Sequence, residues 1–413
     1  MKETKFKDTE IGKIPEEWEI YPLSSIVSDM ADGPFGSNLK TEHYISEKQV
    51  RVVQLSNIGD DGWHDSNTKY TSFTHASTLS RCIIPTGSVL IAKMMPAGRA
   101  IICPNIDSQY ILGSDVVRIT CNTKVEPKYF VYYTKSKLYL EQISDYTQGS
   151  TRQRTSISKL KTMQIVIPPA KEQHSIASAL TSIDNLISSL GKLIEKKKNI
   201  KQGAMQQLLT GKTRLKGFTE PWVYRKISEI ATTSSGGTPS RSIPNYYYGD
   251  IKWFTTTELK DNYLYDSVEH ITREALNNSS AKMFSANTIL MAMYGATIGK
   301  LGVLKEPSTT NQACCAIKCN DIVEIFLFYI LLYNRKSIIE KGCGAGQPNI
   351  SQAIVNELSF LVPPCEKEQQ AIATILTKMD NEITALEAKR AKYEAIKQGM
   401  MQQLLTGKIR LIS

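Results

Sequence analysis

The chain has no apolar run approaching twenty residues, so no membrane-crossing helix is expected. Its opening, MKETKFKDTE, is charged and has no apolar core, which argues against a secretory signal. None of the eight cysteines (82, 103, 121, 314, 315, 319, 343, 365) forms a CxxC pair, and the five histidines (43, 64, 75, 174, 270) fall at no metal-ligand spacing. The expectation is reduced thiols filling core positions in a cytoplasmic protein. The parts of an enzyme are missing too. No glycine-rich cofactor loop opens a convincing strand–helix–strand unit. The two Pro-Pro pairs, IPPA and VPPC, lack the Asn or Asp before and the aromatic after that an amino-methyltransferase needs. GATIGKL (295–301) is one residue short between its glycines for a phosphate loop and has no Ser or Thr after Lys300. PNYYYGDIK (244–252) holds a D-x-K with no counterpart in the first half. No catalytic residue, metal or cofactor is therefore expected on this chain.

What is present is a soluble globular composition, 41% hydrophobic and 22% charged over 413 residues, long enough for two or three domains. The net charge of +10 permits an anionic partner such as nucleic acid. No segment is overwhelmingly basic, so charge alone supports that partner weakly.

The strongest signal is a repeat. KQGAMQQLLTGK (201–212) returns as KQGMMQQLLTGK (397–408), and from Glu172 to Leu215 against Glu368 to Leu411, 25 of 44 positions are identical without a gap. GKIPEEWEIYPLSSI (12–26) parallels GFTEPWVYRKISEI (217–230), with Trp18 and Trp222 in register. Between these landmarks the halves diverge almost completely. The order is variable body, constant helix, variable body, constant helix, with boundaries expected at 1–168, 169–212, 213–363 and 364–413.

Each constant segment carries a heptad seam. In the first it is Ile176, Leu180, Ile183, Ile187, Leu190 and Ile194; in the second, Ile372, Leu376, Met379, Ile383 and Leu386. Lys197, Lys201 and Arg390 interrupt the later halves. Pro168-Pro169 and Pro363-Pro364 open the helices, Glu172 and Glu368 place negative charge in the first turn, and Gly211 and Gly407 suit the left-handed closing residue. Two such helices, each roughly 55–60 Å long at 1.5 Å per residue, satisfy one another by pairing, most simply as an antiparallel coiled coil with the bodies at opposite ends. Gly203 and Gly399, mid-helix in both copies, point to a close approach by the partner helix or by a separate subunit. With Gln206, Gln207, Gln402 and Gln403 they are the candidate docking residues.

The bodies read as α+β. RVVQLSNI, GSVLIAKMM, RAIICP and DVVRIT predict strands in the first body, and IKWFTTTEL, NTILMAMYG and NQACCAIKC in the second. Helices are expected over 126–144 and 321–341. Polar loops at 32–44, 148–158, 234–250 and 341–351 suit contact with base edges and phosphates. Candidate DNA contacts are Lys40, Lys69, Arg99, Arg152, Gln153 and Arg154 in the first body, and Arg241, Tyr246, Lys252, Gln347 and Asn349 in the second. Tyr246, Tyr247 and Tyr248 can pack on a sugar–phosphate wall or fill the core.

EIGKIPEEW, DGPFGSNLK, GSTRQR and IPPAKEQ, then SGGTPSR, GDIKWFTTTEL, GATIGK, GQPNIS and VPPCEKEQ, with QQLLTGK closing both halves, stand in an order that resembles the DNA-specificity subunits of type I restriction–modification systems. The resemblance covers nearly the whole chain. It implies two target-recognition domains, each reading half of a bipartite asymmetric site in double-stranded DNA. It implies helices that set the unread spacer and dock two modification subunits, which supply S-adenosylmethionine and methylate adenine. Two translocase-nuclease subunits would complete the restricting complex of this phage-defence system. A coiled-coil adaptor whose end domains bind proteins is the alternative left open.

Overall fold

The computed structural model describes residues 4–94, 96–147, 154–342 and 349–412. The chain forms two compact units, Met1–Leu190 with Lys389–Ser413, and Gly191–Ala388. Each is α+β.

Unit 1 holds two four-stranded sheets. One runs Val27–Asp32, Val116–Cys121, Val89–Ala92, Ala100–Ile102, antiparallel throughout. The other runs Tyr110–Leu112, Val50–Val53, Tyr70–Thr71, Tyr44–Ile45, with its first pair parallel. Unit 2 repeats this order. Ala231–Ser235, Cys314–Cys319, Ile289–Ala292 and Leu301–Leu304 form the antiparallel sheet, with Asn262–Leu264 added at one edge. Thr309–Thr310, Ile251–Phe254 and Glu269–Ile271 form the second, again opening on a parallel pair. The halves thus share strand order where they share almost no sequence. VLIA (89–92) and ILMA (289–292) are buried at every position, as an unbroken apolar run requires when both faces of a strand are covered.

The helix expected over 126–144 is two, Pro127–Tyr133 and Lys137–Tyr146, because the Ser136 hydroxyl accepts from the Tyr139 amide and caps the start of a second helix. The helix expected over 321–341 breaks likewise at Asn334, into Glu324–Tyr333 and Arg335–Lys341.

The long helices are Ala170–Leu208 and Glu366–Leu404, 39 residues each. The Pro169 carbonyl takes the amides of Glu172 and Gln173, and the Cys365 carbonyl those of Glu368 and Gln369, which sets both first turns. Gly211 and Gly407 close them with φ of 68° each, a conformation open to glycine at little cost.

Of the predicted seam, Ile176, Leu180, Ile183, Leu190, Ile194, Ile372, Leu376 and Ile383 are buried, while Ile187, Met379 and Leu386 are half-buried. The seam does not fade at its later end. In unit 1, Met401, Leu404 and Leu405 enter one core with Ile176, Ala177 and Leu180. In unit 2, Met205, Leu208 and Leu209 share a core with Ile372, Ala373 and Leu376. Within each unit, then, the start of one long helix lies antiparallel beside the end of the other. The lysines that interrupt the seam are neutralised across this pairing: Lys201 meets Asp380 at 2.5 Å and Lys197 meets Glu382 at 2.6 Å.

Among the described residues every cysteine is unpaired. Burial pushes the thiols of Cys103, Cys121, Cys314, Cys315 and Cys319 up to about 12, where almost no thiolate forms. Cys343 lies outside the described residues. No helix among the described residues is long and apolar enough to cross a membrane.

Candidate nucleic-acid interface

The candidate DNA contacts divide by what already holds them. Lys40 is exposed beside Glu42 at 3.6 Å, and the Lys69 ammonium sits 5.8 Å from the Tyr44 ring centroid. Arg154 reaches Asp115 at 2.7 Å yet keeps 54% of its side chain exposed. Arg99 is more fully engaged, donating to the Ile58 carbonyl and pairing with Asp60. In unit 2, Arg241 forks onto both oxygens of Glu269 and lies over the rings of Tyr247 and Trp253. Lys252 is held by Glu306 and the Tyr265 carbonyl. Asn349 is exposed and bridges its backbone to Tyr294. Arg152, Gln153 and Gln347 lie outside the described residues.

Tyr246 is core: it is 7% exposed among Trp253, Ile271 and Ala275. The exposed ring of that triplet is Tyr248, at 79%. Three consecutive tyrosines give no sign of which ring faces out, because the segment is a 3-10 turn with neither strand nor α-helical period.

The docking candidates lie toward the ends of the two long helices. Gly203, Gln206, Gln207 and Gln402 are exposed, and Gly399 and Gln403 half-buried. A methyl group placed on Gly203 or Gly399 would meet no atom within 4 Å among the described residues. The expectation that the partner helix approaches these glycines is therefore corrected: each faces empty space.

Sequence reading missed the joints that tie each body to the long helices. The Glu172 carboxylate, 1% exposed, takes a fork from Arg410 at 2.7 Å and 2.7 Å and the Trp18 indole N–H at 2.9 Å. In unit 2, Arg214 forks onto buried Glu368 at 2.8 Å and 2.9 Å. One residue on, Gln173 accepts the Glu126 amide and donates to the Pro168 carbonyl, while Gln369 accepts the Val323 amide and donates to the Pro363 carbonyl.

A second joint lies about three turns in. The Tyr132 hydroxyl donates to Asp184 at 2.7 Å, and Lys397 holds the other oxygen of Asp184 at 2.6 Å. Tyr329, Asp380 and Lys201 repeat this at 2.7 Å and 2.5 Å. Burial pushes both tyrosines above their ordinary range, so each stays a hydroxyl donor at neutral pH. The signal for these joints was available: Glu172, Gln173, Asp184, Lys201 and Arg214 all recur at the matched positions of the repeat.

Two bodies of one strand order, joined by matching contacts to two long helices of equal length, define a duplicated scaffold. Residues 15–202 and 219–398 each match the type I restriction modification DNA specificity domain. The chain belongs to this family and carries two copies of its domain. It is 26% identical to the type I restriction enzyme MjaVIII specificity subunit of Methanocaldococcus jannaschii, over 99% of this chain and 97% of that one. It is 27% identical to the EcoR124I/EcoR124II specificity subunit of Escherichia coli, over 64% of this chain and 68% of that one. Its fold resembles the crystal structure of the type I restriction–modification S subunit from M. genitalium, with a TM-score of 0.62, 17% identity and coverage of 94% and 96%. A chain from a study of assembly and conformational transition in the type I system aligns with a TM-score of 0.59, 16% identity and coverage of 96% and 99%.

Proposed function

We propose that this specificity subunit reads a bipartite, asymmetric site in double-stranded DNA, one half-site for each unit. The paired long helices set the length of the unread spacer. Two modification subunits dock on the faces around Gly203 and Gly399, and two restriction subunits complete the cleaving complex. Methylation and cleavage belong to those partners, and this chain chooses where they act. The observation that carries the reading is the pair of Tyr–Asp–Lys joints: two divergent bodies are held on two like helices by one repeated geometry, as interchangeable readers on a common ruler require. Phosphate contacts would position the complex and loop side chains would select bases. Adenine N6 is paired inside the duplex, so the methylating partner must extrude the base.

Methylated-base sequencing tests this in cells expressing the chain with its modification subunit, against cells lacking the chain. A two-part adenine motif present only with the chain is expected. No new motif from a complex shown to assemble would overturn the reading. Exchanging residues 1–165 for another body should then change one half of the motif, and a change in both halves would refute the division of labour.

A further inference from the structure

Unit 1 contains a cavity of about 400 Å³ lined by Asp32, Phe35, Lys93, Arg154, Thr155 and Lys159, among others. Its floor is unusual. Lys93 is 6% exposed, yet its nearest carboxylate, Asp32, stands 3.7 Å away, beyond a proper hydrogen bond. Burial holds this ammonium below the ordinary lysine range. Thr155 is 3% exposed and its hydroxyl has no hydrogen-bond partner among the described residues. The Lys159 ammonium donates to the neutral Tyr146 carbonyl at 3.1 Å, and Arg154 pairs with Asp115 at 2.7 Å. The cavity therefore holds one buried hydroxyl without an acceptor among the described residues and, with Lys93, Arg154 and Lys159 against Asp32 and Asp115, one more positive charge than negative, an arrangement that an incoming anion would relieve.

At the rim stands Phe35, 85% exposed. Its loop is tied on both sides. A Cβ on Gly33 would fall 1.7 Å from the Gly113 carbonyl oxygen, so that backbone approach admits only glycine. Pro34 and Leu39 are buried, and the Asn38 carbonyl accepts from His75 Nε2 at 3.0 Å. An apolar ring is thus held out in water by a fixed loop, beside a pocket that carries more cations than carboxylates.

The fold does not require these residues. The Thr155 amide donates to the Lys93 carbonyl at 2.9 Å, and in unit 2 the same backbone bond joins Ile350 to Met293 at 2.7 Å. Where unit 1 buries a lysine and a threonine, unit 2 buries a methionine and an isoleucine.

We propose that this cavity is a nucleotide grip peculiar to unit 1: one DNA backbone phosphate is taken by Lys93 and the Thr155 hydroxyl, with Lys159 as second cation, while Phe35 packs on the adjoining sugar or base. The inference rests on the DNA-reading function proposed above. It supplies that function with a contact that positions unit 1 and adds stacking, which tolerates any base.

The test uses the full chain assembled with its modification subunit, on a duplex carrying the motif found by methylation sequencing. Single methylphosphonates, which neutralise one phosphate each, are walked through both half-sites. One position in the half-site read by unit 1 should weaken wild-type binding about tenfold, as loss of a charge-assisted hydrogen bond does. Lys93→Gln should erase that penalty, and Thr155→Val should reduce it. Phe35→Ala, fully solvent-facing, should lower affinity at least about fivefold with an unchanged melting curve.

The grip is refuted if no methylphosphonate penalty depends on Lys93 or Thr155, or if Phe35→Ala binds like wild type. A Lys93-dependent rise in melting temperature with inorganic phosphate alone, without coupling to any DNA phosphate, would make it a free-anion site and also overturn it. Wild-type complex that binds no DNA overturns the functional reading as a whole, whereas normal binding without the coupling overturns the grip alone.

Discussion

Units 1 and 2 build the corresponding corner, where a long helix begins, with the same arginine–glutamate fork and different neighbours. In unit 1, Arg410 reaches past Glu172 to Glu17 at 2.8 Å, and the Trp18 indole N–H is satisfied by Glu172. In unit 2 the residue before the tryptophan is Pro221, and among the described residues no second acid is engaged by Arg214 and the buried Trp222 indole nitrogen has no partner. The arginine side chain is 9% exposed in unit 1 and 27% in unit 2. A joint can thus keep its geometry while its strength drifts. What is common to both units is the means of attachment; what differs lies in the loops and in the buried positions behind them, Lys93 and Thr155 against Met293 and Ile350.

The largest effect should separate the two corners. Arg410→Ala strips the partner from a carboxylate that is 1% exposed, and breaking such a pair costs about 3 kcal/mol or more. Its melting transition, followed by circular dichroism, should fall by several degrees, and that of Arg214→Ala should fall less because water already reaches that side chain. Equal shifts would mean that Glu17 adds nothing.

The second comparison should show likeness. Tyr132→Phe and Tyr329→Phe each remove one hydroxyl donated to a carboxylate, at a cost of about 1.5–3 kcal/mol. Chemical denaturation should find the two losses matched within experimental error. A large asymmetry would show that the joints are equal in distance only.

Gly203→Ala and Gly399→Ala meet open space in mid-helix and should each raise stability by up to about 1 kcal/mol. If a modification subunit docks there, both should also weaken assembly measured by analytical ultracentrifugation. Better folding with undiminished assembly would remove these glycines from the docking face.

The smallest effect concerns acid. The Arg241 fork holds Glu269 below the usual carboxylate range. A carboxylate depressed in the folded state contributes its full stability above the unfolded pKa, and loses it as pH falls through the folded pKa. Arg241→Gln should therefore lower the stability of unit 2 at neutral pH and flatten its acid limb, so that variant and wild type converge as pH falls below about pH 4.5. An unchanged acid limb would show that Glu269 is not depressed by that fork.

Much of this was legible beforehand for a definite reason. The helix boundaries, the seam and the left-handed Gly211 and Gly407 follow from local chemistry, and the duplication writes them twice. The joints were visible only as unexplained identities. Glu172 and Arg410 are 238 residues apart, and nothing in a one-dimensional pattern says which acid an arginine will meet. Among the DNA candidates, residue type was informative and exposure was not: Arg241 and Lys252 already sit on acids, and Tyr246 faces inward.

The sequence by itself determined that two long helices close two bodies, because periodicity, caps and repetition are properties of neighbouring residues. Only the tertiary structure decided that the dissimilar bodies share one strand order, since backbone hydrogen bonds set a sheet and tolerate many side chains. Only the tertiary structure, too, decided that Lys93 and Thr155 meet beneath Phe35. That meeting depends on strands and loops distant in the chain being brought to one place.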